Sequence, residues 1–174
     1  LNVLITGETG TGKELFARAI HVNSFRADRN FVVVDCASFP DSLSNSMLFG
    51  HKKGSFTGAQ NDRAGLIHQA DGGTLFLDEV GELSADHQKE FLRVLQENRF
   101  RPIGSNEEVK SDFRLVVATN RDLGQMVEAG LFRLDLLYRI PTYHLHLPPL
   151  RSRPRAIKDI ARHRIPRLCE QQNI

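Results

Sequence analysis

Apolar runs recur along this chain, and segments with helical spacing separate them. Residues 32–34, 75–77 and 115–117 are continuously apolar rather than alternating with polar residues. Such strands are buried on both faces, as in a parallel sheet covered by helices, so the pattern predicts a doubly wound α/β fold. The sheet is predicted to be five-stranded and mostly parallel, with strands at residues 1–6, 31–35, 74–78, 115–119 and 143–147.

The segments between these strands are predicted to hold helices and one irregular insert. The first helix is expected to end near Val22 and to bury a face formed by Leu15, Phe16, Ala19 and Ile20. Residues 99–112 contain proline, glycine and asparagine, which is typical of a hairpin or an irregular insert. Further helices are predicted at residues 40–49, 63–70, 84–98 (with Ser84 as N-cap) and 122–128.

A glycine-rich stretch stands between the first strand and the first helix, which is the context of a phosphate-binding P-loop. Its backbone N–H groups turn inward around a phosphate, and the helix N-terminus adds partial positive charge. Lys13 is placed to reach the terminal phosphates. Glu14 replaces the Ser or Thr that usually binds Mg²⁺, an ion that a carboxylate can also hold. The predicted nucleotide-binding residues are Gly7, Glu8, Thr9, Gly10, Thr11, Gly12, Lys13 and Glu14.

An acidic pair, Asp78 and Glu79, closes the third predicted strand. Beside a P-loop this is the Walker B arrangement, in which Asp78 holds Mg²⁺ while Glu79 orients and deprotonates the attacking water. Asn120 follows the fourth strand. Asn120 senses the γ-phosphate, holds the attacking water or caps a simple turn, and the sequence leaves these alternatives open.

Two arginines, Arg133 and Arg139, are six positions apart in a largely apolar segment, and neither has a reason to be buried in its own subunit. Arginines inserted from a neighbouring subunit stabilise the charge of phosphoryl transfer, so both are candidate arginine fingers. The loop at residues 50–59 holds three glycines and Phe56. An aromatic side chain at such a tip either contacts a partner or folds back onto the core.

Composition narrows the class of protein. The 174 residues fit one domain with 40% hydrophobic residues, and the predicted α/β core spans residues 1–148, followed at 149–174 by an amphipathic helix and the start of a further segment. No apolar run approaches the roughly 18 residues of a membrane span, so we expect no membrane association and a cytoplasmic location. Cys36 and Cys169 give no disulfide framework and no metal-ligand spacing. Net charge is +2, and the basic residues near the C-terminus favour a solvated face over a nucleic-acid patch.

Taken together, these residues resemble the central AAA+ ATPase domain of the NtrC-type, sigma-54-dependent transcriptional activators. The resemblance covers essentially the whole chain. Its most specific block is the family's signature loop, usually Gly-Ala-Phe-Thr-Gly-Ala. That loop corresponds here to Gly54, Ser55, Phe56, Thr57, Gly58 and Ala59.

The resemblance implies a hexameric ring that binds ATP and Mg²⁺ between subunits, with Arg133 and Arg139 acting on the neighbour's nucleotide. The signature loop would grip sigma-54, and hydrolysis would remodel the sigma-54 RNA polymerase holoenzyme in its closed promoter complex. DNA would be contacted only through a domain absent from this chain.

Several positions depart from the family pattern. Ser55 replaces the usual alanine, and Lys52 and Met47 replace usual acids. Asp35 stands where an asparagine usually holds the catalytic glutamate, so an acid there is expected to repel Glu79. By the resemblance, residues 149–174 are the linker and the start of the family's helical lid, truncated here, so that the lid's second sensor arginine is missing. The fragment is therefore expected to bind nucleotide weakly and to hydrolyse it slowly.

Two other functions remain open at this point. Another AAA+ machine, such as an unfoldase or a helicase loader, would share the P-loop, the acidic pair and Asn120 but would not need residues 54–59. A nucleotide-responsive assembly module with little turnover is the second alternative, supported by Asp35 and the truncated lid. A direct nucleic-acid-binding module is disfavoured because the sequence has no recognition motif.

Overall fold

The computed structural model describes residues 1–38, 44–140 and 143–172, and strands are distributed along all three segments. The strands are β1 Val3–Thr6, β2 Phe31–Asp35, β3 Gly50–His51, β4 Arg63–Ala64, β5 Thr74–Asp78, β6 Arg99–Phe100, β7 Val109–Lys110, β8 Arg114–Thr119 and β9 Tyr143–His146. The helices are α1 Lys13–Val22, α2 Ser44–Phe49, α3 Leu66–Gln69, α4 Ala85–Glu97, α5 Leu123–Glu128, α6 Leu134–Arg139 and α7 Pro154–Gln172. Short 3₁₀ helices form at Val80–Glu82 and Leu150–Ser152.

Five parallel strands form the main sheet in the order β2-β5-β8-β1-β9. All five were predicted from their apolar runs, and their ends agree with the prediction to within two residues. The parallel arrangement places the carboxyl ends of β1, β5 and β8 at the same edge, where ligands bind in open α/β sheets. The doubly wound α/β prediction is confirmed.

Both faces of the sheet are covered, which explains why the central strands lack alternation. In β5, the neighbouring side chains of Leu75, Phe76 and Leu77 are all at most 1% exposed, although they point to opposite faces. Phe76 packs with Ala17 of α1 on one face. Leu75 and Leu77 pack on the other face, in the cluster that includes residues of α4 and α6.

Strand β2 is less buried than its apolar run predicted. It lies at the edge of the sheet, and Val33 is 36% exposed. Helix α1 packs mainly on β1, β5 and β8 and meets β2 at its first residue, where the His21 and Phe31 rings lie 5.2 Å apart, so the face of the edge strand at Val33 stays partly open. A continuous apolar run therefore identified the strand correctly but not the burial of each of its faces.

The predicted apolar face of α1 was wrong. Its buried residues are Lys13, Ala17 and His21, whereas Leu15 is 64% exposed. The P-loop explains this rotation, because the helix must turn Lys13 back toward the loop. His21 completes the buried stripe through a 2.9 Å hydrogen bond between its Nδ1 and Thr74 Oγ1.

The other helix predictions had mixed outcomes. Residues 63–70 are not one helix: Arg63 and Ala64 pair with β3, and the helix begins only at Leu66. The predicted start of α2 lies outside the described residues. The N-cap Ser84 is confirmed, since its hydroxyl accepts from His87 N–H, and the predicted hairpin at 99–112 forms through β6 and β7. The boundary at residue 148 remains a prediction.

Two leucines provide a direct test of this burial pattern. Leu115, on β8, is 1% exposed, and Leu15, on α1, is 64% exposed. Because the first leaves a cavity and the second does not, we expect Leu115→Ala to lower the free energy of unfolding by about 2–5 kcal/mol. Leu15→Ala should change it by less than about 0.5 kcal/mol. Equilibrium urea unfolding of both variants measures this, and equal losses would contradict the orientation of α1.

Candidate functional site

The P-loop is held in a narrow turn between β1 and α1. A Cβ at Gly7 would lie 2.6 Å from the backbone oxygen of Leu147, so only glycine allows this close approach to the chain that follows β9. Thr11 Oγ1 donates to Glu8 O at 2.8 Å and closes the turn. Gly12 is the residue before α1, and the helix N-terminus therefore faces the loop.

Lys13 is turned inward and is only 7% exposed. Its Nζ donates to Gly7 O at 3.1 Å and forms an ion pair with Glu79 Oε1 at 3.2 Å. The structure thus brings together the two residues that the sequence assigned to phosphate binding and water activation.

Glu79 has an unusual backbone conformation. Its φ of 51° lies in the left-handed region, which a residue with a side chain rarely adopts and which costs of order 1–3 kcal/mol. The carboxylate is held by Lys13 and by Asn120 N–H, at 3.0 Å from Glu79 Oε2. Asn120 Nδ2 in turn donates to Thr9 Oγ1 at 3.0 Å. The strained residue lies at the point where the P-loop, β5 and β8 meet.

Asp78 lies beside Glu79 at the end of β5. Burial raises its pKa, and the neighbouring Glu79 charge raises it further, while the Glu79 N–H bond to Asp78 Oδ1 opposes both effects. A partly buried carboxylate with this excess of negative charge around it is a favourable site for a cation. This fits Mg²⁺, which binds through one or two protein carboxylates plus substrate phosphates.

Glu14 has a different environment. It lies in the first turn of α1, and its carboxylate accepts from Arg18 at 2.8 Å on the exposed side of that helix. Within the described residues, no three His, Cys, Asp or Glu side chains are grouped to hold a metal ion by themselves. Metal binding stays a prediction for both residues, and the surroundings of Asp78 favour it more than those of Glu14 do.

Asp35 does not approach Glu79 as a direct partner. Its carboxylate accepts from Ala37 N–H at 3.0 Å and from the Ser38 hydroxyl, so it caps its own turn. Asp35 lies opposite Asp78 in the β2–β5 register, and its charge contributes to the raised pKa of Asp78. The charge of Asp35 was expected to repel Glu79, and it acts instead on Asp78, the neighbour of Glu79.

Arg133 and Arg139 are held on the outer side of the domain. The Arg133 guanidinium forms a two-pronged ion pair with Asp135 at 3.0 and 2.7 Å, which lowers the pKa of that carboxyl group. Arg139 donates to Leu95 O at 3.2 and 3.1 Å. Both side chains are exposed, and their action on a neighbouring subunit stays a prediction.

Residues 54–59 form a tight loop whose backbone bonds to itself. Gly54 N–H donates to Ala59 O, and Ala59 N–H donates to Phe56 O, at 2.9 and 3.0 Å. The Phe56 ring is 37% exposed and meets the His51 ring edge-on, with centroids 5.0 Å apart. Phe56 is therefore supported from one side and open to a partner from the other.

The hairpin of β6 and β7 supports this loop. Ile103 N–H donates to Gly50 O, and Lys52 N–H donates to Ile103 O, both at 3.0 Å. Lys52 also forms an ion pair with Asp62 at 2.9 Å, across the base of the loop. Lys52, which stands where the family usually has an acid, thus has an ionic partner within its own chain.

Comparison with known proteins identifies the family. The profile described as "Sigma-54 interaction domain" matches residues 1–146. The chain belongs to the sigma-54 interaction domain family. It is 58% identical over 161 residues to the hydrogenase transcriptional regulatory protein HoxA of Bradyrhizobium diazoefficiens and 55% identical over 162 residues to the regulatory protein AtoC of Escherichia coli. These alignments cover 92% and 93% of the chain but only 33% and 35% of those proteins.

Solved structures share the fold of this chain. NtrX from Brucella abortus, in complex with ATP, superposes with a TM-score of 0.91 at 34% identity, over 99% of this chain and 39% of NtrX. Hsp104 from Saccharomyces cerevisiae, as an ADP complex, shares the fold at a TM-score of 0.65 and 21% identity over 98% of this chain and 32% of that one. Among the described residues of this sigma-54 interaction domain, no helix is long and apolar enough to cross a membrane.

Two further contacts to the P-loop were missed in the sequence. The basic stretch after β9 was interpreted as a solvated face, yet Arg151 forms an ion pair with Glu8 and Arg153 donates to Thr11 O at 2.7 Å. Their contacts could have been predicted from their position, because these arginines follow β9, the strand beside β1, which leads into the P-loop. In this sigma-54 interaction domain they fasten the linker to the nucleotide-binding loop.

The buried position of Lys13 leads to a binding prediction. Because a hydrogen bond to a charged group contributes about 1.5–3 kcal/mol, we expect Lys13→Met to raise the Kd for ATP about 10- to 150-fold. Lys53→Met, at an exposed lysine beside the signature loop, is the matched control and should leave Kd unchanged. Titration with a fluorescent ATP analogue measures both values. Unchanged affinity in Lys13→Met would contradict the P-loop assignment.

Proposed function

We propose that this domain hydrolyses ATP and uses the cycle to remodel sigma-54 RNA polymerase in a bacterial transcriptional activator. The observation that carries the proposal is the meeting of Lys13, Glu79 and Asn120 at one sheet edge, in a chain of the sigma-54 interaction domain family. The choice of nucleotide is supported by NtrX from Brucella abortus, whose structure was solved in complex with ATP.

In the proposed reaction, Lys13 binds the terminal phosphates and Asn120 orients the attacking water. A phosphate at Lys13 competes with Glu79 for the same ammonium group, which frees the Glu79 carboxylate to accept a proton from water. Asp78 would hold Mg²⁺, which neutralises charge on the phosphates. Glu14 is retained as a second proposed metal contact.

The arginines complete the site in the proposed assembly. Arg133 and Arg139 are exposed and would reach the nucleotide of a neighbouring subunit in a ring, for which we propose a hexamer. Head-to-tail contacts of this kind close into rings and place one subunit's arginines at the next subunit's P-loop. In this proposal DNA is bound by another part of the natural protein.

The signature loop is the proposed contact with sigma-54. It consists of Gly54, Ser55, Phe56, Thr57, Gly58 and Ala59, with Phe56 and Thr57 exposed at its tip. The hairpin bonded to its base provides a path by which movement of the domain reaches the loop. Rival AAA+ machines do not need this loop, and membership in the family favours the activator function.

The first experiment tests nucleotide-dependent capture of sigma-54 by the natural protein that carries this chain. We expect capture in the presence of ADP–aluminium fluoride, which mimics the transferring phosphoryl group, and none with ADP alone. Thr57→Ala should bind nucleotide normally but fail to capture sigma-54. Capture by Thr57→Ala would contradict the loop assignment. Absence of capture by the wild type, with turnover intact, would point to another client.

A glycine in the supporting hairpin gives a second test of the loop. Gly104 has φ +73°, and a Cβ there would lie 2.5 Å from Ser55 Cβ; Gly72 has a similar φ of +69° with nothing within 4 Å. The backbone strain of an alanine should be similar at both positions. Only Gly104→Ala places its Cβ against Ser55, so only this variant should displace the loop. Overpacking costs about 1–3 kcal/mol, so we expect about tenfold weaker sigma-54 capture.

Gly72→Ala is the matched control and should retain capture. ATP affinity should be the same in both variants, since neither glycine touches the P-loop. Equal sigma-54 capture by the two variants would show that the hairpin does not position residues 54–59.

A further inference from the structure

Gln88 is a polar side chain in the core that has no part in the proposed chemistry. It lies on α4 and is 2% exposed. Its Nε2 donates to Leu83 O at 2.9 Å and to Leu131 O at 3.0 Å, while its Oε1 accepts from Arg133 N–H at 2.9 Å. Both N–H groups and the oxygen are therefore used. A buried amide satisfied in this way fixes the relative positions of the segments that it joins.

The segments joined by this amide belong to two different parts of the proposed site. Leu83 directly follows the 3₁₀ helix Val80–Glu82, whose preceding residue is the strained Glu79. Arg133 immediately precedes α6, and its own backbone N–H is bound by the amide. One side chain thus bridges the end of the segment that follows the proposed base and the backbone of a proposed arginine finger.

The same face of α4 also holds the second arginine. Leu95 follows Gln88 by seven positions, which is two helical turns, so the two residues lie on one side of the helix. Leu95 O is among the last four carbonyls of α4, which have no partner within the helix, and it accepts both bonds from Arg139. Helix α4 therefore holds Arg133 through its backbone and Arg139 through its guanidinium group.

We propose that Gln88 is a positioning residue that couples the Glu79 segment of one subunit to the Arg133 which that subunit presents to its neighbour. A shift of the 3₁₀ helix moves Leu83 O, and the amide transmits this shift to Arg133 N–H. The effect of Gln88 is therefore exerted on the adjoining nucleotide site. This inference rests on the proposed ATPase function and on the action of Arg133 between subunits.

The test uses Gln88→Met in the natural protein that carries this chain. Methionine has nearly the same length but cannot make the three hydrogen bonds. We expect an unchanged KM for ATP and a kcat lowered tenfold or more. Gln96→Met, at an exposed glutamine of the same helix, is the matched control and should behave as the wild type.

Mixed rings distinguish a positioning role from general damage. Glu79→Gln subunits lack the base but carry intact arginines, whereas Gln88→Met subunits should carry an intact base and P-loop. In a random equal mixture, about a quarter of the head-to-tail interfaces combine the two intact halves, so turnover should reappear. The mixture of Arg133→Ala with Glu79→Gln is the positive control for action between subunits.

The outcomes separate the inference from the function on which it rests. Reappearance of turnover supports the positioning role. If Gln88→Met turns over slowly and the mixture does not restore turnover, or if Gln88→Met turns over like the wild type, the positioning role is overturned. The proposed ATPase function is unaffected by either result. A wild type without turnover, or an Arg133→Ala variant with full turnover, overturns the inference together with its premise. If Gln88→Met does not fold, Gln88→Asn, which keeps the amide on a shorter side chain, undergoes the same mixing test.

Discussion

The ion pair between Lys13 and Glu79 is the contact on which the rest of the site depends. Its side chains are 7% and 22% exposed, so both charges have lost much of their hydration. A buried pair is tolerated only when further hydrogen bonds compensate for that loss. Gly7 O provides one for Lys13, and Asn120 N–H provides one for Glu79. Gly7, Glu79 and Asn120 follow the ends of β1, β5 and β8, respectively. The site therefore requires the observed strand order, which brings these three ends together.

The sequence was sufficient for the parts of the fold that depend on local pattern. Apolar residues located all five strands of the main sheet, and in the central strands β5 and β8 the run is continuous because burial on two faces removes polar residues from a strand. Strand ends then placed Asp78, Glu79 and Asn120 at one edge, because parallel strands share their carboxyl ends. Ser84 was recognised as an N-cap because its hydroxyl has a defined local function at a helix start.

The remaining features depend on contacts between distant segments, which local pattern does not encode. The apolar spacing of α1 predicted a buried Leu15, but the inward position of Lys13 determines the helix orientation. Arg153 looked like part of a solvated basic stretch, and its acceptor, Thr11 O, is 142 positions away. The proposed role of Gln88 likewise depends on its hydrogen bond with Arg133 N–H, 45 positions later. No residue spacing along the chain indicates such pairs.

In the proposed reaction, a nucleotide phosphate competes with Glu79 for Lys13, and this competition would alter the contacts of Glu79 one after another. In the proposed cycle, a terminal phosphate carries more negative charge than a carboxylate and fits the same ammonium group, so its arrival would weaken the hold of Lys13 on Glu79. Asp35 cannot take over as a partner, since its carboxylate is committed to Ala37 and Ser38. Glu79 then retains only the Asn120 backbone contact, while its left-handed conformation stores strain. In the proposed cycle, release of that strain would be transmitted through the 3₁₀ helix to Leu83, and the nucleotide itself would then trigger movement in this domain.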